Sequence, residues 1–194
     1  MSDHPTVLGI PASLRDTSYT YTAVRYALEA ADDAGAETEL LDLRTRDLPL
    51  YDPDEDEQGE SEAITRTVRA ADGVVLGSPV YHSSYSSTFK NLHDYCSYDD
   101  FEDTVVGLLA TAGGDAYSGT LDHMRVTIRG VHGWVLPKQV GIPNVYDQFE
   151  GDPDATDGRV FVDPDIQERV EELGELVATH ARTPERPVPE KGDR

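Results

Sequence analysis

Thr6-Val7-Leu8-Gly9-Ile10-Pro11-Ala12-Ser13-Leu14-Arg15-Asp16-Thr17-Ser18-Tyr19-Thr20 begins as a short apolar run, breaks at a proline and opens into a loop dense in hydroxyls. A run that is apolar at successive positions, not at alternate ones, is the pattern of a strand buried on both faces, as in the middle of a parallel sheet. From Ser18 to Ala34 the residues Ala23, Tyr26, Ala27, Ala30 and Ala31 recur at helical spacing, and Gly35 stands where a helix should stop. The chain therefore starts strand, loop, helix, with the loop at the carboxyl end of the strand.

The same unit repeats outward from this opening. Glu37 to Asp42 alternates polar and apolar residues ahead of a long loop, Arg44 to Gly59, which contains Pro49, Pro53 and the acidic run Asp52 to Glu57. A helix is expected over Glu60 to Ala71. Gly73-Val74-Val75-Leu76-Gly77-Ser78 reads as a buried strand ended by Pro79, followed by a helix from Ser86 to Tyr95. Thr104 to Thr111 is the fourth strand, Gly113-Gly114 a turn, and Gly119 to Val131 a helix. Trp134-Val135-Leu136 is a short fifth strand before Pro137, and Asp165 to Ala181 is the closing helix.

Strand and helix alternate five times, and parallel strands require crossover connections, so the pattern predicts an α/β fold with helices on both faces of a parallel sheet. Right-handed crossovers fix its handedness. The common doubly wound five-stranded, flavodoxin-like order is 2-1-3-4-5, with ligands at the carboxyl ends of strands 1 and 3, where the winding reverses. Residues 1–182 are expected to form one domain. The tail 183–194, with Pro184, Pro187 and Pro189, lacks a core-forming pattern and is expected to be disordered.

Composition narrows the function classes. Asp and Glu outnumber Lys and Arg 38 to 16, a formal net charge of -22. Such a surface repels nucleic acid and anionic membranes at ordinary salt, so neither is expected as a partner. The acidity is spread along the chain and Lys is scarce, which favours a halophilic, salt-accumulating host over a docking face for a basic partner. The single cysteine, Cys96, permits no internal disulfide and reads as a packing thiol. No charged and apolar leader occupies residues 1–12 and no run of 18 apolar residues occurs, so a soluble cytoplasmic protein is expected.

The loop after the first strand crowds Ser13, Ser18 and Thr20 around Arg15 at the start of a helix. The free amides and positive dipole end of a helix N-terminus, with neutral hydroxyl donors and one guanidinium, suit a phosphate. The alternative is plain N-capping by Thr17 or Ser18 beside an exposed arginine; capping accounts for one hydroxyl but not for the cluster. Neither the Gly-Lys-Ser/Thr ending of a P-loop nor Gly-x-Gly-x-x-Gly is present. The loop after the third strand runs Pro79-Val80-Tyr81-His82-Ser83-Ser84, and a parallel sheet sets it beside the first. Its apolar residues and backbone edges suit a flat heteroaromatic ring, although each residue singly also suits a surface loop.

Ser13-Leu14-Arg15 with Ser18 and Thr20 resembles the G-S-x-R-x-x-S-x-N/T phosphate motif of the NADPH-dependent FMN reductase family, which includes azoreductase and quinone reductase relatives. Pro79-Val80-Tyr81-His82 with Ser84, Lys90-Asn91 and Asp94 is similar to that family's P-E-Y-N-x-S-x-P-x-x-L-K-N-x-x-D segment. The resemblance spans roughly residues 6 to 138. It implies that Ser13, Arg15, Ser18 and Thr20 hold the FMN phosphate with Tyr19 packed nearby. It also implies that Pro79, Val80, Tyr81, His82, Ser83 and Ser84 border the isoalloxazine. Gly113, Gly114 and Gly119 resemble the glycine turn that leaves room for NADPH or NADH. The activity so implied is NAD(P)H-dependent reduction of free flavin, a quinone or an azo compound; an FMN-holding electron carrier or regulatory flavoprotein is the alternative. Family members assemble as homodimers or homotetramers, so Tyr85, Phe89, Leu92 and Tyr95 are either boundary contacts or ordinary core.

The chain departs from the pattern at four places: Ala12 replaces a glycine, Val80 a glutamate, His82 an asparagine, and Ser86-Ser87 a proline and a glycine. No catalytic acid or base is required, because the flavin carries the redox chemistry. Tyr81, His82 and Tyr117 could cover the ring or supply a proton. Asp52, Asp54 and Asp56 imitate a calcium loop, but Glu57 and Ala63 stand where Gly and Glu are needed, so a solvated loop is expected. His82, His93 and Asp94 are too scattered for a metal site, and Ser13 and Ser84 lack a nucleophile elbow.

Overall fold

The computed structural model describes residues 4–56, 58–152 and 158–181. The order is β1 (Thr6–Pro11), α1 (Tyr19–Asp33), β2 (Glu37–Leu40), α2 (Ser61–Ala70), β3 (Gly73–Pro79) and α3 (Ser87–Tyr95), and then β4 (Val105–Thr111), α4 (Ser118–Gly130) and β5 (Trp134–Ile142). Two short strands, β6 (Phe149–Glu150) and β7 (Val160–Phe161), precede α5 (Pro164–Ala181). The main sheet is parallel, in the order β2-β1-β3-β4-β5. This is the flavodoxin-like winding expected from the sequence.

The continuous apolar runs follow from burial on both sides. Val7, Val75, Leu109 and Val140 point to the face covered by α1 and α5, where they meet Val24, Ala27, Leu173 and Val177. Their neighbours Leu8, Ile10, Val74, Leu76 and Leu108 point to the other face, against Ile64 and Val68 of α2, Phe89 and Leu92 of α3, and Met124 and Ile128 of α4. Phe89 and Leu92 are therefore core residues. Tyr95 instead holds the acidic loop, its single hydroxyl proton facing both the Pro49 carbonyl at 3.1 Å and Gln58 Oε1 at 2.9 Å.

The structure corrects two sequence expectations. The fifth strand does not stop before Pro137 but runs to Ile142. Its register against β4 slips between the Val106–Val135 and Leu108–Gln139 pairs, so Pro137 sits in an irregularity of an edge strand, where its missing N–H breaks no ladder bond. The antiparallel β6–β7 pair was not foreseen, because two-residue strands carry no readable period. The tail 183–194 lies outside the described residues, as does Glu57.

Candidate functional site

Hydrogen bonds stitch the loops after β1 and β3 together at the carboxyl end of the sheet. The Ala12 amide donates to the Gly77 carbonyl at 2.8 Å, and the Ser86 hydroxyl donates to the Ala12 carbonyl at 2.6 Å. The same Ser86 oxygen caps α3 by accepting from the Phe89 amide at 3.1 Å. On the far side the Val80 amide donates to the Thr111 carbonyl, which fixes the β3 loop to the end of β4. Ser86, one of the departures from the family pattern, is thus the residue that joins the two loops.

Between these loops lies a small cleft of about 50 Å³. It is lined by Ser13, Arg15, Ser18, Tyr19, Thr20, Pro79, Val80, Tyr81 and Gly113, all of them expected from the sequence. His82, Ser83, Ser84 and Gly114 stand outside its lining. Ser84 instead faces α4, its hydroxyl 3.2 Å from His123 Nδ1. Tyr117 turns from the cleft and packs over Gly141, where an added Cβ would lie 2.0 Å from its ring. A larger open groove of about 740 Å³ along α1 and β2 sets Glu29, Asp32, Asp33 and Glu39 around Arg25, Tyr21 and Thr38, and four carboxylates beside one guanidinium disfavour an anion.

The donor chemistry at the α1 end fits a phosphate. Ser18 is the N-cap of α1, its Oγ accepting from the Tyr21 amide at 3.1 Å, so the capping role and a place in the cleft coincide in one residue. Thr20 Oγ1 lies 2.6 Å from Thr111 Oγ1, a buried link between α1 and β4. Ser13 is only 4% exposed, and its oxygen meets the Arg15 amide at a long 3.5 Å. Arg15 is exposed, and among the described residues no carboxylate pairs with its guanidinium. The first turn of α1 adds the unpaired amides and dipole of a helix N-terminus.

The β3 loop carries visible backbone strain. Tyr81 and Ser84 exchange backbone hydrogen bonds of 2.9 and 3.0 Å across a two-residue turn, with His82 at φ 49° and Ser83 at φ 64°. Paired left-handed residues define the turn that Asn-Gly fills best, and each side chain there costs about 1–2 kcal/mol. Ser83→Gly is therefore expected to raise stability by about 0.5 kcal/mol, the relief being partly offset by glycine's greater unfolded freedom. Urea denaturation reads the sign, and a loss would mean that contacts of Ser83 outweigh the strain.

Behind the β1 loop, Arg44 makes a bidentate pair with Asp42, Nη2 lying 2.6 Å from Oδ2. Burial pushes the Asp42 carboxyl up, but the side-chain and backbone hydrogen bonds and the charge of Arg44 outweigh it and hold the group below its ordinary value near 3.8. A depressed carboxyl stabilises the fold above that ordinary value and ceases to do so as pH falls through its folded value, so this support persists through neutral pH. Burial, with a smaller push from Asp100, raises the Cys96 thiol to about 12, which leaves it protonated and inert at neutral pH. Burial likewise depresses His93, whose Nε2 lies 3.1 Å from the Thr127 carbonyl. Among the described residues no three His, Cys, Asp or Glu side chains gather to hold a metal.

Four residues of this region escaped the sequence reading. Thr111 ends an apolar strand; its hydroxyl at the carboxyl end of β4, beside the switch strand, was the available signal. Val145 and Tyr146 enter from the short turn after β5, and Tyr146 lies edge-on to Tyr19 with ring centroids 5.7 Å apart. Arg159 reaches the loop from the start of β7, its guanidinium 4.5 Å over the Tyr19 ring. No local pattern marks Tyr146 or Arg159, because tertiary structure alone brings them to residue 19.

A family model described as NADPH-dependent FMN reductase matches residues 5–147. An NADPH azoreductase of a Bacillus species is 40% identical over 116 residues, which is 58% of this chain and 65% of that protein, a little under two thirds. An FMN-dependent NADPH-azoreductase of Staphylococcus aureus is 34% identical over 137 residues, covering 68% of this chain and 73% of that one. Among solved structures, an oxidoreductase from Corynebacterium diphtheriae superposes with a TM-score of 0.73 at 23% identity, over 93% of this chain and 98% of that chain. That likeness carries the fold.

Proposed function

The chain belongs to the NADPH-dependent FMN reductase family, and from that premise we propose that it passes electrons from NADPH or NADH through bound FMN to a small acceptor: free flavin, a quinone or an azo compound. The observation that carries this reading is the meeting, in one cleft at the switch point, of a hydroxyl-and-arginine loop with a proline- and aromatic-edged loop. Bound FMN supplies the hydride and electron chemistry. The residues of the chain bind and orient. Ser13, Arg15, Ser18 and Thr20, with the α1 amides, hold the phosphate, and Tyr19 packs beneath them. Pro79, Val80 and Tyr81 border the ring, Gly113 and Gly114 leave its face open to the nicotinamide, and His82, Ser83 and Ser84 shape the turn that presents the border.

Protein in high salt with added FMN, followed in the visible and treated without air with NADPH and then NADH, tests the proposal. Bound flavin that bleaches with either nicotinamide supports it and sets the preference. Bound flavin that stays yellow moves the protein to an electron-carrier role, and folded protein that ignores FMN overturns the reading.

Assembly as a homodimer or homotetramer is part of the proposal; Leu14, Tyr81 and Tyr146 leave apolar surface around the cleft mouth that a second copy would cover. Light scattering in high salt reads the state. A nicotinamide-driven reaction and a lone cysteine suit the reducing cytoplasm. The net charge of -22 suits a salt-accumulating host. Mutual repulsion of the carboxylates reaches about 10 Å at 0.1 M salt and about 3 Å at 1 M. The melting temperature is therefore expected to climb between those concentrations by about 2–4 °C for each kcal/mol of repulsion removed. A flat salt profile would remove the halophilic reading and leave the cofactor reading standing.

A further inference from the structure

Three consecutive carbonyls of the β1–α1 loop are held by two arginines that come from distant parts of the chain. Arg44, in the short turn after β2, donates through Nη1 to the Arg15 carbonyl at 3.2 Å and to the Asp16 carbonyl at 2.8 Å. Its other nitrogens are fixed by Asp42, and its guanidinium lies 5.0 Å over the Tyr21 ring. Arg159, only 5% exposed, donates through Nη1 to the Thr17 carbonyl at 3.1 Å from 142 residues away. Its place is set in turn. The Tyr26 hydroxyl donates to the Arg159 carbonyl at 3.2 Å, and in the β6–β7 pair Phe149 stacks on Tyr19 while Phe161 lies edge-on to Tyr26.

A trans peptide is planar, so the carbonyl of one residue and the amide of the next point in opposite directions. Arginines that draw the carbonyls of residues 15, 16 and 17 outward therefore turn the following amides the other way, toward the side that Ser13, Ser18 and the α1 N-terminus present. We propose that Arg44 and Arg159 are positioning residues that preset these peptide planes for a phosphate, and so determine how strongly the protein prefers FMN to its phosphate-free form, riboflavin. This deepens the cofactor reading above and rests on it. Arg44 lies within residues 5–147, the segment that matches the family, whereas Arg159 and the β6–β7 pair lie beyond it, so the device joins that segment to the continuation after it.

The test is the ratio of FMN to riboflavin dissociation constants, measured by flavin fluorescence quenching in wild type and in Arg159→Met, Arg159→Lys and Arg44→Gln. FMN binding is expected to weaken about tenfold in Arg159→Met and Arg44→Gln, the scale of one lost hydrogen bond to a charged group. Riboflavin binding is expected to stay as in wild type, and Arg159→Lys, which keeps the charge and a donor, to recover part of the ratio. Wild type that prefers FMN, with variants that lose both flavins in parallel or lose neither, overturns the arginine proposal alone. Wild type that binds both flavins equally overturns the phosphate site and this proposal with it, whereas folded wild type that binds neither overturns the cofactor reading. Should Arg159→Met fail to fold, Arg159→Lys and Arg44→Gln carry the same comparison.

Discussion

An Arg15→Ala protein is expected to bind FMN ten- to a hundredfold more weakly than wild type while holding riboflavin as before. Arg15 stands exposed at the rim of the cleft, and no described carboxylate neutralises it, although the chain as a whole carries -22. A doubly charged phosphate approaching such a surface meets net repulsion, so a local cation next to the helix N-terminus decides whether binding is favourable. A hydrogen bond to a charged group contributes about 1.5–3 kcal/mol, and each 1.4 kcal/mol is tenfold in affinity. The contact is exposed, so the deficit should shrink as salt rises toward 1 M. Fluorescence titrations at low and high salt measure both effects. Unchanged FMN affinity would return Arg15 to the plain reading of a surface arginine beside a capped helix.

What could be read in advance follows from how local each signal is. The strands of the sheet announced themselves because Thr6–Ile10, Gly73–Ser78 and Thr104–Thr111 are apolar at almost every position, which only a doubly covered strand requires. The β1 and β3 loops were legible for the same reason: their hydroxyls, arginine and proline lie contiguous in sequence. Pro137 misled because a proline normally ends a strand, and only the register slip of an edge strand absorbs it. Ser18 shows that capping does not exclude a place in the cleft, since one residue caps α1 and lines the cleft. Thr111 carried a signal in its hydroxyl at the end of β4, but Tyr146 and Arg159 were invisible because each acts across more than 90 residues of chain, on Tyr19 and Thr17.

Gly174 ties stability to the same loop. It lies inside α5, where a glycine costs about 1 kcal/mol relative to alanine, so some other requirement must hold it there. A Cβ at this position would sit 1.8 Å from the Ala27 carbonyl oxygen of α1, a backbone atom that no rotamer change can move. Nor can α1 retreat toward the sheet, since Val24 and Leu28 already lie against Gly9 and Gly77 at distances that leave no room for a methyl group. Helix propensity alone predicts that Gly174→Ala stabilises by about 1 kcal/mol; the close approach predicts the opposite sign. Gly174→Val adds bulk and β-branching and is expected to cost on the order of 3–5 kcal/mol, a large share of the stability of a domain this size. Chemical denaturation of the two variants decides, and a stabilised Gly174→Ala would show that the helices part easily. If they do not part, any displacement must pass along α1 to its N-terminus. There the Thr20–Thr111 link and the cap at Ser18 hold the phosphate loop, so Gly174→Ala should weaken FMN binding from a position buried far from the cleft.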